Sequence, residues 1–356
     1  MKLLIITQKI DANDDVLGFF ENWVRHIAQE VEEVTVIALA KGECDLPKNV
    51  SVVSLGKEHG RNKIFQAITF YWYVFKFLPR TDVVFVHMAP EYVRALYPVN
   101  IFLRKPICMW YAHIHVSGVA RWALDRVARV FTPSKESFAF QSEKIIATGH
   151  GIDVTLFKPE TGKKQNPPII MTMSRLSKVK RLHVFIEALH ILHSKYPEFV
   201  FKARIVGSPA RTEDAEYEAS LRQLASTYGI ENYIEWFGSI KNKETNRLYN
   251  EASIFVRMQG GGGFGKTELE SMSCGTPVIL CTDVYNAQMG NFARDVYFPE
   301  DDAALCAEQM KRVLEWSDEQ KEEYAHLSRS IVSNGHNLEH LAKRIAKEFR
   351  VIQGTK

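Results

Sequence analysis

Residues 253–283 read SIFVRMQGGGGFGKTELESMSCGTPVILCTD, and the fold turns on how this stretch is read. Ile254-Phe255-Val256 is a β-rich run, residues 260–263 are four glycines, Lys266-Thr267-Glu268-Leu269-Glu270 starts a helix, and Val278-Ile279-Leu280 is a second apolar run beyond Gly275 and Pro277. Strand, glycine loop, helix and strand make a βαβ corner. Such a corner points backbone N–H groups at whatever lies above the helix start, which suits a phosphate.

Two readings of the loop compete. Gly260-x-x-x-x-Gly265-Lys266-Thr267 fits the Walker pattern of a nucleoside triphosphatase, with a strand before it and a helix after it. The second reading starts from Glu270, which meets Lys266 at i, i+4 on one helix face and can accept ribose hydroxyls while the glycine backbone takes a diphosphate. Gly275 and Pro277 stop the helix near Cys274, and fewer than a hundred residues follow the loop. A short helix late in the chain favours the second reading.

At 356 residues and 46% hydrophobic content the chain has the size of two α/β domains. A net charge of +3 gives no global pull on nucleic acid. Its five cysteines contain no C-x-x-C pair, which points to packed, reduced thiols, no zinc site and a cytoplasmic setting. The apolar run after Met1-Lys2 is too short for a signal peptide, and no window has 18 apolar residues in a row.

Taken in order, residues 2–7 predict a buried parallel strand, 19–31 an amphipathic helix, and 34–38, 50–53, 82–87 and 107–111 further strands. This alternation predicts a doubly wound parallel sheet with ligands above the strand C-termini. Those ends carry Asp14 and Asp15 in the first loop, His87 and Glu91 after the 82–87 strand, and His113 and His115 after Tyr111. The aspartates also suit turn and capping chemistry, and the histidines suit a hydrogen-bonding role better than a metal. Residues 61–80, RNKIFQAITFYWYVFKFLPR, combine seven aromatic side chains with terminal cations. Two readings stay open for them: a deeply buried helix, or an interfacial helix on an anionic membrane surface with one face in the core.

Residues 158–168, KPETGKKQNPP, mark a domain boundary, after which the alternation restarts with a strand at 169–173. The loop after that strand, SRLSKVKR at 174–181, opens a long helix and aims Arg175 and Lys180 at an anion. Strands at 201–206 and 233–237 and helices at 215–228, 243–251, 303–316, 318–332 and 338–352 complete the pattern. The last helix can cross back to the first domain.

Several ordered stretches resemble the GT4 family of GT-B glycosyltransferases. They are Ser174-Arg175-Leu176 with Lys180, Ile205-Val206-Gly207, Trp236-Phe237-Gly238, the run from Leu248 to Val256, and Gly263-Phe264-Gly265 leading to Leu269-Glu270 and Cys274-Gly275-Thr276-Pro277. His150-Gly151-Ile152-Asp153 with Phe157 and Pro159 is similar to the family's interdomain segment. The resemblance implies two Rossmann-like doubly wound domains facing a central cleft: 1–158 for the acceptor, 159–335 for a nucleotide sugar, and 336–356 packing back on the first domain. It further implies a retaining transferase that uses a UDP- or GDP-sugar donor without a metal or other cofactor. His113, Arg175, Lys180 and Glu270 would be catalytic. Gly207, Gly262, Gly263, Phe264, Gly265, Lys266, Thr267 and Glu270 would bind the donor, and Asp14, Asp15, His87, Glu91 and His115 would lie on the acceptor side.

One departure stands out. The family's E-x7-E motif places a glutamate eight residues before Glu270, where this chain has Gly262, while Lys266 matches a family subset with a lysine there. That pattern implies a variant site, with a silent nucleotide-sugar binder and a Walker-type triphosphatase as alternatives. Surface-polysaccharide or glycolipid assembly is the expected setting, with a glycan or lipid-linked acceptor at the cytoplasmic membrane face and no nucleic-acid partner.

Overall fold

A computed structural model describes residues 1–112, 116–134, 137, 142–261, 265–283 and 285–354. The chain forms two compact units, residues 1–151 with 336–356, and residues 152–335. Ile152 and Phe157 are buried in the second unit's core, so the chain leaves the first unit before the proline-rich stretch.

In the first unit the elements run β1 (Lys2–Ile10), α1 (Phe19–Gln29), β2 (Glu33–Lys41), β3 (Val50–Ser54), α2 (Lys63–Phe77), β4 (Val83–His87), α3 (Pro90–Leu103), β5 (Ile107–Trp110), α4 (Gly118–Arg126), β6 (Arg129–Thr132) and β7 (Ile145–Ala147). The seven strands form one sheet in the order β3-β2-β1-β4-β5-β6-β7. Every pairing is parallel. A parallel sheet covered on both faces needs strands apolar on both sides, and β1 meets this with Leu3, Leu4, Ile5 and Ile6 all buried. Leu3 and Ile5 face the core under α1, whereas Leu4 and Ile6 face the core under α2, α3 and α4.

The second unit runs β8 (Ile169–Met173), α5 (Leu182–Lys195), β9 (Lys202–Val206), α6 (Thr212–Thr227), β10 (Ile234–Gly238), α7 (Thr245–Glu251), β11 (Ile254–Arg257), α8 (Lys266–Ser273), β12 (Val278–Leu280), α9 (Asn286–Met289), α10 (Ala293–Val296), α11 (Ala303–Leu314) and α12 (Asp318–Gly335). Its five strands lie parallel in the order β10-β9-β8-β11-β12. Both sheets are therefore doubly wound, and in each the winding reverses beside the first strand: between β1 and β4, and between β8 and β11. No helix among the described residues is long and apolar enough to cross a membrane.

The last helix, α13 (Leu338–Gly354), belongs to the first unit. Its Leu338, Leu341, Ala342, Ile345 and Phe349 recur at helical spacing and are buried. Phe349 sits with its ring centroid 5.7 Å from that of Phe85 and 6.0 Å from that of Phe131. α2 has two sides. Phe70 and Val74 are buried, and Tyr71 Oη donates to the Ala95 carbonyl of α3 at 3.2 Å. Ile64, Phe65, Ile68, Trp72 and Phe75 point outward, each at least 58% exposed.

At the start of α13, the buried His336 accepts the His150 N–H at Nδ1 over 3.2 Å. Burial, aided by the positive charge of Arg344, pulls His336 down to about 4 from 6.5. A protonated ring cannot accept that N–H, and between these two values the unfolded chain binds more protons. Stability therefore falls as the pH drops through this window, by up to about 3 kcal/mol from pH 7 to pH 4. Urea unfolding across that range should show a steeper fall in the wild-type protein than in His336→Gln, whose amide oxygen can still accept the N–H; equal slopes would refute the assignment.

Candidate functional site

The C-terminal ends of β8 and β11 are neighbours in the second sheet, and a cavity of about 240 Å³ opens there. Its wall is drawn from the ends of both strands, from the loop after β8 and from the start of α8. In an open parallel sheet this switch point is where adjacent loops part and leave a crevice.

Arg175 and Lys180 reach the cavity from the β8 loop. Gly207, at the end of β9, makes that loop possible: with φ +132° it lies so close that a Cβ would come within 1.9 Å of the Ser174 carbonyl oxygen. It supports the loop and is not among the cavity's lining residues. Arg175 is exposed. Lys180 is half-buried, with Nζ donating to Gln259 Oε1 at 2.5 Å. Burial lowers the Lys180 pKa, and the neighbouring charges of Arg257 and Arg175 push it the same way.

α8 provides the opposite wall. Gly265, Lys266 and Thr267 line the cavity at the helix start, where N–H groups lack intrahelical partners. One turn on, Glu270 is 2% exposed. It accepts the Tyr249 hydroxyl at 2.9 Å and the Asn242 amide at 3.2 Å. Burial raises the Glu270 pKa and lowers that of Lys266 to about 8, each shift held back by the other's charge. Glu268 is 1% exposed and takes the Gly265 N–H and the Arg257 guanidinium on one oxygen.

The structure thus brings Arg175, Lys180, Gly265, Lys266, Thr267 and Glu270 together in one unit. His113, His115, Gly262, Gly263 and Phe264 lie outside the described residues. In the first unit, Asp14 caps the turn before α1 through Val16 N–H and Leu17 N–H, at 2.9 and 2.6 Å, and binds Lys9 at 2.6 Å. Asp15 and Glu91 are exposed. His87, expected at an open strand end, is 1% exposed and stacks on Phe20 with 3.8 Å between centroids. It is a core side chain, because α1 folds over the end of β4. Among the described residues there is no group of three or more His, Cys, Asp or Glu side chains placed to hold a metal ion.

Sequence reading passed over Tyr249, Asn242, Gln259, Arg257 and Glu268. Glu268 had a signal, since a glutamate three residues after a loop glycine is the second half of a capping box. Arg257 and Gln259 had none, because Gln259 meets Lys180 only once β8 and β11 pair, and Arg257 meets Glu268 only once α8 folds back over the end of β11.

A family model described as glycosyl transferases group 1 matches residues 153–341, just over half of the chain. WcaL of Escherichia coli K12, named for a glycosyltransferase role in colanic acid biosynthesis, is 31% identical over 144 residues, covering 38% of this chain and 34% of that protein. A D-inositol 3-phosphate glycosyltransferase of Corynebacterium urealyticum is 24% identical over 41% of this chain and 37% of its own length. The matched region therefore spans little more than a third of either relative. The crystal structure of Anabaena HepE with UDP-glucose superimposes with a TM-score of 0.77 at 19% identity, over 99% of this chain and 100% of that one. The sucrose-phosphate synthase of Thermosynechococcus elongatus gives 0.78 at 14% identity, over 100% of both chains. At these identities the likeness is one of fold, the two-unit GT-B architecture.

Tyr249→Phe tests the Glu270 environment. It leaves a buried carboxylate oxygen short of a donor and should lower stability by about 1–3 kcal/mol in urea unfolding. A variant as stable as the wild type would show that the hydroxyl does not carry that carboxylate.

Proposed function

The chain belongs to the glycosyl transferases group 1 family, and from that premise we propose that it is a retaining, metal-independent glycosyltransferase. It would move a sugar from a UDP- or GDP-sugar to a hydroxyl of a glycan or lipid-linked acceptor, in surface-polysaccharide or glycolipid assembly at the cytoplasmic face of the membrane. One observation carries the reading: cations from the β8 loop and the start of α8 share a cavity beside a buried carboxylate acceptor, Glu270. A nucleoside diphosphate leaving a sugar gains negative charge on its phosphate. Arg175, Lys180 and the α8 N–H groups would stabilise that charge, the task a metal performs elsewhere. Glu270 would receive the ribose hydroxyls, Lys266 and Thr267 the donor, and His113 the transferred sugar. The Walker-like match at 260–267 falls inside the family match, and Lys266 faces Glu270 on α8.

The colanic acid role in the name of WcaL supports this setting, and the UDP and UDP-glucose in HepE support a nucleotide-sugar donor. The outward face of α2 supports the membrane. Its five exposed apolar side chains are flanked by Arg61, Lys63, Lys76 and Arg80, and residues 61–80 contain no Asp or Glu. Lys76 Nζ lies 5.1 Å from the Trp72 ring centroid, so charge and aromatic surface share one face. An anionic bilayer complements both the apolar stripe and its cationic rim. Domain roles follow the same reading, with the acceptor on the first unit and the nucleotide sugar on the second.

Calorimetry with UDP, GDP and ADP, with and without magnesium, identifies the donor nucleotide, and turnover of its sugar form completes the test. Binding should need no metal. Lys180→Ala should cost about 3 kcal/mol of transition-state stabilisation, roughly a hundredfold or more in rate, and Glu270→Gln, which keeps an acceptor for Tyr249 and Asn242, should lower transfer with the fold intact. Unchanged rates in both would remove the site assignment, and a response only to ATP or GTP with magnesium would return the loop to the Walker reading. The protein should co-sediment with vesicles containing phosphatidylglycerol at low salt and release from them at high salt. Failure to sediment, or unchanged binding by a Phe65→Ser, Trp72→Ser variant, would sink the membrane contact.

A further inference from the structure

We propose that Arg257 is a third cation of the donor diphosphate site and that Glu268 is the positioning residue that aims it, an inference that rests on the transferase reading above. Arg257 is the last residue of β11, the strand that pairs with β8, and its side chain is 15% exposed at the cavity lined also by Arg175 and Lys180. Glu268 holds it from the first turn of α8 and with the same oxygen takes the Gly265 N–H. One carboxylate therefore fixes a cation and a helix start relative to each other.

A purely structural ion pair does not account for the company it keeps. Arg175, Lys180, Arg257 and Lys266 all line the cavity, while the carboxylates against them are Glu268 in the lining and Glu270 and Asp153 acting on Lys266. Four positive groups against three negative ones leave an excess of positive charge where burial and neighbouring cations depress Lys180. Gathering like charges in a partly desolvated crevice is unfavourable for the fold on its own. The ionised oxygens of a nucleotide-sugar diphosphate would answer that excess. Arginine suits the position better than lysine, because its planar fork of five N–H donors can hold Glu268 and a phosphoryl oxygen at once. Glu268 would then deliver Arg257 and the α8 N–H groups to the same phosphate.

Calorimetry on the full chain tests this, with UDP, GDP and ADP and, beside each, its monophosphate. The variant is the double substitution Arg257→Leu with Glu268→Gln, which removes both charges together and keeps an acceptor for Gly265 N–H, so that no buried charge is orphaned. Arg257→Lys and Glu268→Gln serve as single variants. For the diphosphate that binds the wild-type protein, the double variant should bind about tenfold or more weakly, while the monophosphate changes by less than about twofold. Arg257→Lys should recover part of the loss. Glu268→Gln, with Arg257 present but no longer aimed, should raise the donor KM or lower kcat while leaving monophosphate affinity intact. A double variant that keeps the wild-type preference for diphosphate, or loses both ligands equally, overturns the assignment. A wild-type protein that binds none of the three diphosphates overturns the transferase reading and this assignment with it.

Discussion

Two carboxylates on one short helix have to be held out of water, and much of the second unit is arranged around that need. Glu268 and Glu270 are 1% and 2% exposed on α8. A buried carboxylate without donors costs several kcal/mol, so each must find partners from other parts of the chain. Glu270 finds Tyr249 on α7 and Asn242 in the turn before it. Glu268 finds Arg257 at the end of β11 and the N–H of Gly265. Meeting these demands locks α7, α8 and β11 into one relation, and the cavity is the space left above them.

The topology explains why the charges meet there. In a parallel sheet the loops at the C-terminal edge leave in opposite directions on either side of the switch point, and here β8 and β11 flank it. The β8 loop supplies Arg175 and Lys180, and the β11 loop supplies the helix start and Gln259. The first sheet has the same winding with different contents at its switch point. Lys9 sits between Asp11 and Asp14 at 3.1 and 2.6 Å, and His87 is packed under α1 against Phe20, Phe19 and Trp23. One topology thus gives a cation-rich crevice in the second unit and an acidic, aromatic strand end in the first.

α2 shows how an apolar pattern can serve two environments. The ordinary helical stripe, Phe70 and Val74 with Leu78 beyond the helix, buries against the sheet. A second stripe on the other side, from Ile64 to Phe75, stays exposed. Isolated exposed apolar residues are common on protein surfaces, but a continuous stripe bordered by cations is not. The two faces explain why composition alone left the helix between a buried and an interfacial reading.

The two doubly wound sheets could be read in the sequence by itself, because a strand buried on both faces must be apolar throughout and its connecting helices must alternate with it. The Lys266–Glu270 pair was legible for the same kind of reason, since i, i+4 spacing on a helix is a local fact. Arg175 and Lys180 were legible as a cationic loop at a strand end. What only the tertiary structure decided is which distant groups answer these charges. The contacts of Arg257 with Glu268, Tyr249 and Asn242 with Glu270, and Lys180 with Gln259 are made across elements whose separation along the chain carries no information about their distance in space. His87 shows the converse: the end of its strand was visible in the sequence, but the helix that folds over it was not, and burial turned a candidate site residue into core. Local periodicity determines the elements, whereas the partners of a buried charge are settled only when strand order brings those elements side by side.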